Sequence, residues 1–557
     1  MQNYEELVSF LGGWGPFQRR VFFLLCLACI PCGYNVLCVF FLLAVPTHHC
    51  RIPFHTNLSQ EWIQASIPLQ QGLERSSCHR YQLDLVQNLS VLGSSTNMSL
   101  SHLRQEGCKD GWTYDTQYFE STVVTQFNLV CEEQWKQPLT SLCYFLGGLV
   151  GCFASGQISD RFGRKPVIFG SIAILSIFSG ALVLAPSWPI FTIIFFIMGM
   201  GQITSYIVIF VMGSELLVGS ARVIFSNVSL PFFYVFGMML MPCTAYLIRR
   251  WTHLSLIMTV PGLLCIPFWW LIPESPRWLL SCGRLEEAEL MLRSAALMNR
   301  VEVPRGVLHL PKSEKASLEK TDSVTVWDLL KTSNMRTNTL ILWLIWFSSA
   351  ICYFGMSFNM SDLNGSPFLN YFLVSAIELP GFSASWLAAR SLPRRLSYIS
   401  FTLLGALALL LIQITMQSHP TVTLALVIVG KFGVVAGSGL LYLFTGELSP
   451  TVIRNTSMSS CATFSRLGSA VSPYLLQLAV FYQFLPWIIV GSLSLLSVLL
   501  CFFLPETFRK PLPDTIQQVE DMPRFKWADA FCSPPVDDEK SGKDQHIPTN
   551  VICMTQL

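Results

Sequence analysis

Three ionisable residues, Glu378, Lys431 and Arg466, stand inside apolar stretches of the chain. A charge at the middle of a lipid-spanning helix costs about 2.5 to 3.5 kcal/mol, so such groups face a partner or a cavity and mark function. Arg466 carries the planar fork that grips a carboxylate through two hydrogen bonds. The competing reading sets it in an ion pair with an acidic neighbour, the usual state of a buried charge. Glu378 can balance an ammonium or couple a cation, or it can satisfy backbone groups freed by Pro380, and Lys431 has a comparable double reading. Aromatic faces hold quaternary or protonated nitrogens at ~0.5 to 2 kcal/mol each. Trp346, Tyr353, Phe354 and Phe358 share one stretch, and Tyr442 belongs to the same class. For Trp346 and Phe358, filling a helix interface explains the residue equally well. Gln202 and Tyr206 are four apart and share a helix face, which suits hydrogen-bonding groups lining a pathway. This is chemistry for gripping a small molecule that carries charge.

Chemistry for breaking bonds is missing. The sequence holds no HExxH, no GxSxG, no GxxxxGK[ST] and no Cys/His array with metal-ligand spacing, so no catalytic residue, metal or cofactor is expected. Without a nucleotide loop, any transport would run on a gradient or by facilitation. The net charge of +2 and the lack of a long basic run remove nucleic acid as a partner.

The elements that must position these residues follow from composition. The chain is 52% hydrophobic and 13% charged, against about 25% charged in soluble domains. Lipid is the expected surround. About twelve apolar runs reach spanning length: 21–44, 139–158, 167–185, 189–217, 223–248 and 254–272, then 340–358, 368–388, 396–416, 422–444, 455–479 and 485–504. The first is too long for a signal-peptide core and reads as a retained helix. The expected organisation is an N-terminal segment 1–20, a first six-helix half 21–272 with a large polar loop 46–138, a linker 273–337, a second half 338–504 and a tail 505–557. Within the linker, residues 284–290 read as an amphipathic surface helix and 303–324 as a mobile connection.

Basic residues of short loops set orientation. Arg19 and Arg20, Arg161, Arg164 and Lys165, Arg390, Arg394 and Arg395, and Arg509 and Lys510 all fall on one side, which puts both termini in the cytoplasm. Arg249 and Arg250 fall on the other side and break the pattern. The large loop holds Cys50, Cys78, Cys108 and Cys131 and three glycosylation sequons at Asn57, Asn88 and Asn97, the marks of an oxidised, glycosylated outside loop at the plasma membrane. The pairing of the four cysteines stays open.

An internal repeat turns the helix count into an architecture. Glu215 and Arg222 are seven apart after the fourth run, as are Glu447 and Arg454 after the tenth. Pro273-Glu274-Ser275 and Pro505-Glu506-Thr507 follow the sixth and twelfth runs at the same offset. Two repeat-related halves place a solute site at their interface, opened to each side by rocking. The two Glu/Arg pairs are expected to be gate ion pairs at the cytoplasmic ends.

Gly156-Gln157-Ile158-Ser159-Asp160-Arg161-Phe162-Gly163-Arg164-Lys165, taken with Pro273-Glu274-Ser275-Pro276-Arg277-Trp278-Leu279, resembles the loop signatures of the major facilitator superfamily. The large loop after the first helix, Tyr4-Glu5-Glu6, Trp14-Gly15-Pro16-Phe17-Gln18-Arg19 and Phe464-Ser465-Arg466-Leu467-Gly468-Ser469 are similar to the organic cation/carnitine branch of the solute carrier 22 family. The resemblance implies an all-α membrane protein of twelve transmembrane helices in two six-helix halves. It implies a secondary transporter of zwitterionic or cationic organic solutes, carnitine among them, with sodium coupling. It also assigns Asp160, Arg161, Gly163, Arg164, Glu274 and Arg277 to a cytoplasmic latch, and Arg466 to a substrate carboxylate. Two departures stand out, Cys32 and Ser205, where the branch commonly has Asn; a thiol replaces an amide poorly. Ser449 also stands where Tyr is usual. An organic anion or cation carrier that ignores carnitine, and a transport-inactive receptor or scaffold, are the alternatives. Thr555-Gln556-Leu557 fits the hydroxyl-x-aliphatic pattern that adds to a PDZ sheet edge.

Overall fold

The computed structural model describes residues 10–53, 56, 58–69, 75–91, 103–302, 326–360, 363, 365–415, 418–450, 453–479, 482, 484–510, 513 and 516–520. Asn57, Asn97, the linker stretch 303–324 and the terminal Thr555-Gln556-Leu557 lie outside these residues.

Ten helices among the described residues are long and apolar enough to cross a membrane. They are α1 (Pro16–Leu42), α2 (Cys131–Phe162), α3 (Arg164–Leu184), α4 (Trp188–Leu216), α5 (Gly219–Leu247), α6 (Trp251–Leu271), α7 (Ser333–Phe358), α8 (Pro367–Ser391), α9 (Arg394–Thr415) and α10 (Pro420–Leu448). With α11 (Arg454–Val471) and α12 (Leu485–Cys501) each expected run has its helix. Prolines open α4, α8, α10 and α12, where a missing N–H leaves no bond unmade. The helix expected over 455–479 is divided: α11 ends at Val471, and Tyr474–Leu478 forms a separate turn beyond Pro473. α11 is also polar, with Ser457, Ser460, Thr463, Ser465 and Arg466 along it. Such a helix is tolerated at membrane depth only where protein or a wet cavity receives its polar groups.

The helices pack as two copies of one arrangement. α1 lies on α5 as α7 lies on α11, and α2 and α3 lie on α4 as α8 and α9 lie on α10. The halves meet where α5 crosses α8 and α2 crosses α11. At the α1–α5 crossing a Cβ on Gly33 would overlap the Tyr234 carbonyl, and one on Gly237 the Ile30 carbonyl. Only glycine allows backbones so close. α5 includes a π-helical stretch at Phe225–Ser229, and α8 is interrupted at Ile377, ahead of Pro380. Leu285–Asn299 is the surface helix expected in the linker, with Ala288, Leu292, Ala295 and Ala296 on its buried face.

The all-α expectation holds for the bundle but not for the insert between α1 and α2. There β1 (His48–Cys50), β2 (His79–Tyr81), β3 (Gln105–Gly107) and β4 (Trp112–Tyr114) form two antiparallel pairs, β1 with β4 and β2 with β3. Disulfides Cys50–Cys108 and Cys78–Cys131 tie the strands to each other and to the start of α2. Arg80 is buried and pairs with Glu106 at 3.1 Å and Asp110 at 2.6 Å. Asn88 is exposed on the short helix Leu83–Val91.

The same insert accounts for the two arginines that break the charge pattern. Arg250 pairs with Glu120 at 2.8 Å, Arg249 donates to the Gln117 carbonyl at 3.1 Å, and Glu120 N–H donates to the Arg249 carbonyl at 3.1 Å. Arg249 and Arg250 dock the insert on the α5–α6 connection. Beside them Phe119 packs on Phe368 of α8, ring centroids 5.3 Å apart. Phe40 and Phe41 of α1 meet Phe358, Tyr371 and Phe368 of α7 and α8. Aromatic rings therefore close the seam between the halves at its insert end.

Candidate functional site

At the end of the bundle away from the insert, the loop signatures fold into a latch. Gly163 adopts φ of 101°, a conformation that favours glycine, and turns the chain so that Glu274 accepts the Arg164 N–H at 3.0 Å and the Lys165 N–H at 3.2 Å. Arg164 reaches Glu215 through two hydrogen bonds of 3.1 and 3.0 Å and pairs with Asp160 at 2.9 Å. Trp278 donates to the Asp160 carbonyl at 2.8 Å. Arg161 and Arg277 are exposed. The second half repeats the construction: Glu506 accepts the Arg394 and Arg395 N–H groups at 2.9 and 3.0 Å, and Arg394 pairs with Glu447 at 3.1 Å. Arg222 and Arg454 each donate to the carbonyl five residues before them, Leu217 and Ser449. The sequence pairs Glu447 with Arg454; the ion pair shown at Glu447 is with Arg394, which opens α9 and is brought by the fold under the same carboxylate.

Near the middle of the seam, side chains of both halves converge. From the first half come Gln202 and Tyr206 of α4 and Tyr234 of α5. Gln202 is buried and donates to the Cys32 carbonyl at 3.1 Å and the Tyr234 hydroxyl at 3.4 Å. The rings of Tyr206 and Tyr234 lie edge to face at 5.1 Å. From the second half comes Arg466, half-buried, within electrostatic reach of Tyr206, Tyr234 and Tyr442. Among the described residues nothing hydrogen-bonds to or ion-pairs with its guanidinium.

Glu378 and Lys431 form the opposite pole. Both are fully buried, and their charged atoms are 3.2 Å apart. Tyr353 donates its hydroxyl proton to the same Glu378 oxygen at 2.7 Å and lays its ring under the Lys431 ammonium, 3.2 Å from ring centroid to Nζ. Lys431 also donates to the Tyr353 carbonyl and Ser357 hydroxyl, both at 3.3 Å. The Tyr353 hydroxyl meets the Met238 sulfur of α5 at 4.0 Å, so this cluster touches the other half.

The remaining candidates divide. Phe354 stacks edge to face with Phe145 of α2, centroids 4.8 Å apart, and is half-buried at the seam. Trp346 is buried, donates to Thr445 at 3.0 Å and supports the exposed Tyr442 ring at 4.4 Å, so it positions Tyr442 from behind. Phe358 belongs to the aromatic closure at the insert end. α7 runs without a break through Gly355, where a Cβ would crowd Leu475 and Val490. Ser205 spends its hydroxyl on Ser171 and the Gly201 carbonyl, facing α3 and away from the seam. Ser449 is bonded to Ser457 and the Thr445 carbonyl. Tyr234 is the seam residue that sequence reasoning passed over. Its signal was a phenol in an otherwise apolar run, a group that seeks a partner when buried.

The sugar (and other) transporter family pattern matches residues 91–518. Solute carrier family 22 member 4 of Mus musculus is 42% identical over 94% of this chain and 96% of its own length. Organic cation/carnitine transporter 2 of Homo sapiens is 43% identical, covering 93% and 94% of the two chains. The inward open conformation of the xylose transporter XylE from E. coli superposes with a TM-score of 0.61 at 16% identity, covering 90% of this chain and 99% of that one, a likeness of fold.

Proposed function

This chain belongs to solute carrier family 22, within the sugar (and other) transporter family, and from that premise we propose that it is a secondary transporter of small zwitterionic or cationic organic solutes. Quaternary-ammonium carboxylates such as carnitine are the class that fits best. The observation that supports this reading is a pair of polar groups of opposite use on the second half: Arg466, without a hydrogen-bond or ion-pair partner among the described residues and within electrostatic reach of three tyrosines, and the Glu378–Tyr353 carboxylate and ring. A carboxylate takes the first and a quaternary nitrogen the second. The names of the curated relatives support the same class.

Rocking of the halves about this seam exposes it alternately, with the aromatic closure shutting the insert end and each arginine latch holding together the helix ends of its own half at the other. The insert then lies outside the plasma membrane and both latches in the cytoplasm, in keeping with the basic loops. Sodium coupling is part of the proposal, since the resemblance of the chain to the carnitine branch implies it. One departure favours a second reading. Cys32 carries a thiol, buried within the first half, where that branch commonly has an amide, and a carrier of organic cations that ignores carnitine would have no use for the amide.

Uptake of labelled carnitine by cells expressing the chain at their surface, with sodium and with sodium replaced, tests the reading. Sodium-dependent accumulation is expected. Surface expression with uptake of tetraethylammonium but not carnitine would replace it with the second reading, and binding without accumulation would point to a receptor.

A further inference from the structure

We infer that the Lys431 ammonium is an internal stand-in for the cationic end of the solute, holding the Glu378–Tyr353 cage while the site is empty and yielding it when an organic cation enters. The inference rests on the solute reading above and deepens it by naming the competitor for the cation pole.

The cage has the parts that recognise a quaternary ammonium ion. A carboxylate oxygen lies 3.2 Å from the ammonium, and an aromatic face lies beneath it with the centroid at 3.2 Å. The Tyr353 hydroxyl locks the ring to that same oxygen at 2.7 Å, so carboxylate and ring are positioned as one unit. A cation is thus already bound, and it is supplied by the protein.

Stability does not explain the arrangement. Desolvating two charges in a helix bundle offsets most of their attraction, and apolar residues of the same volume would serve a scaffold as well. Nor is the ammonium held firmly. Its two other contacts, to the Tyr353 carbonyl and Ser357 hydroxyl, are 3.3 Å long, beyond the usual range for N–H donors, and it ends a flexible four-carbon stem. The carboxylate and ring are fixed, and the lysine is the member that can leave.

The location fits an exchange of cations. Tyr353 reaches Met238 across the seam, so the cage borders the space between the halves. Glu378 opens the second segment of the interrupted helix α8, and broken helices in transporters of repeat architecture mark substrate or ion sites. One carboxylate cannot neutralise two cations in this space, so the solute's nitrogen and Lys431 compete. An empty transporter then never leaves Glu378 as a bare buried charge while its halves move.

Tetraethylammonium binding to the purified full-length protein in detergent tests this directly, without reliance on uptake. Lys431→Met keeps the stem and removes the competitor, and its Kd for tetraethylammonium should fall on the order of 10-fold or more below the native value; Lys431→Arg should stay near native. Ser357→Ala, which keeps both charges but loosens the lysine, should tighten binding in the same direction and carries the test should Lys431→Met fail to fold. Glu378→Gln should abolish the gain in combination with Lys431→Met. Native binding with no tightening in Lys431→Met or Ser357→Ala overturns the inference alone. A native protein that binds no organic cation overturns the solute reading beneath it as well.

Discussion

Arg394 stands in the second half where Arg164 stands in the first. Each has its backbone N–H capped by a distant glutamate, Glu506 or Glu274, and each points its guanidinium at the carboxylate ending the helix before the next loop, Glu447 or Glu215. Two latches built alike should fail alike. Arg164→Ala and Arg394→Ala each remove a charged hydrogen-bond donor from a largely buried glutamate, Glu215 or Glu447, a change worth about 3 to 5 kcal/mol where burial is complete. Both variants are expected to reach the surface in reduced amount and to transport slowly per molecule. Adding Glu215→Gln to Arg164→Ala, or Glu447→Gln to Arg394→Ala, should recover abundance but not rate. Recovery of rate as well would make the latches supports for folding alone.

The docking of the insert makes a second prediction. The Arg250–Glu120 pair is half exposed, and such pairs contribute about 0 to 1 kcal/mol. Arg250→Ala alone should leave the insert protected from protease. Arg249→Ala with Arg250→Ala also removes the hydrogen bond to the Gln117 carbonyl, and cleavage between α1 and α2 should then quicken several-fold. Equal protection in native and double variant would show that the backbone bridge and disulfides suffice.

The insert should also loosen in acid. Burial works against the charge of Glu106, but hydrogen bonds from Lys109 and Arg80 outweigh it and hold the carboxyl below its ordinary 4.5. Burial, and then the charge of Arg75, hold His49 below its ordinary 6.5. Both groups bind more protons in the unfolded chain, so their stabilisation is present above those values and is lost as pH falls through the folded ones. Proteolysis of the insert, normalised for protease activity, should rise as pH drops below 6.5 and again below 4.5. Glu106→Gln should remove the second rise; its persistence would assign the effect to other groups.

Glycine substitutions separate close crossings from open ones. Gly33→Ala drives a methyl into the Tyr234 carbonyl, backbone that cannot step aside, and should sharply lower yield and melting temperature. Gly156→Ala, in α2 with no atom near its would-be Cβ, should be neutral or gain about 0.5 to 1 kcal/mol. Equal behaviour of the two would contradict the α1–α5 packing.

Much of the scaffold was legible because motif and hydropathy are local. The equal offsets of Glu215 and Glu447 and of Glu274 and Glu506 announced the repeat, and the helices sit on the apolar runs. Partnerships across helices were not legible. Glu378 and Lys431 each read as a lone charge, since nothing in sequence says that α8 and α10 bring them to 3.2 Å. Arg249 and Arg250 looked like errors of topology until the insert supplied Glu120 and Gln117. Tyr234 was hidden by its apolar neighbours, and Ser205, counted as a departure near the site, faces the other way.

The central claim is that Arg466 receives a carboxylate. Uptake of labelled carnitine and of tetraethylammonium should be measured side by side for the native chain, Arg466→Ala and Arg466→Lys, each corrected for surface abundance. Losing a charged, forked hydrogen bond should lower carnitine uptake on the order of 10- to 100-fold in Arg466→Ala, with little recovery in Arg466→Lys, while tetraethylammonium, which has no carboxylate, continues to enter. Equal loss of both solutes, or carnitine uptake unchanged in Arg466→Ala, would contradict the account.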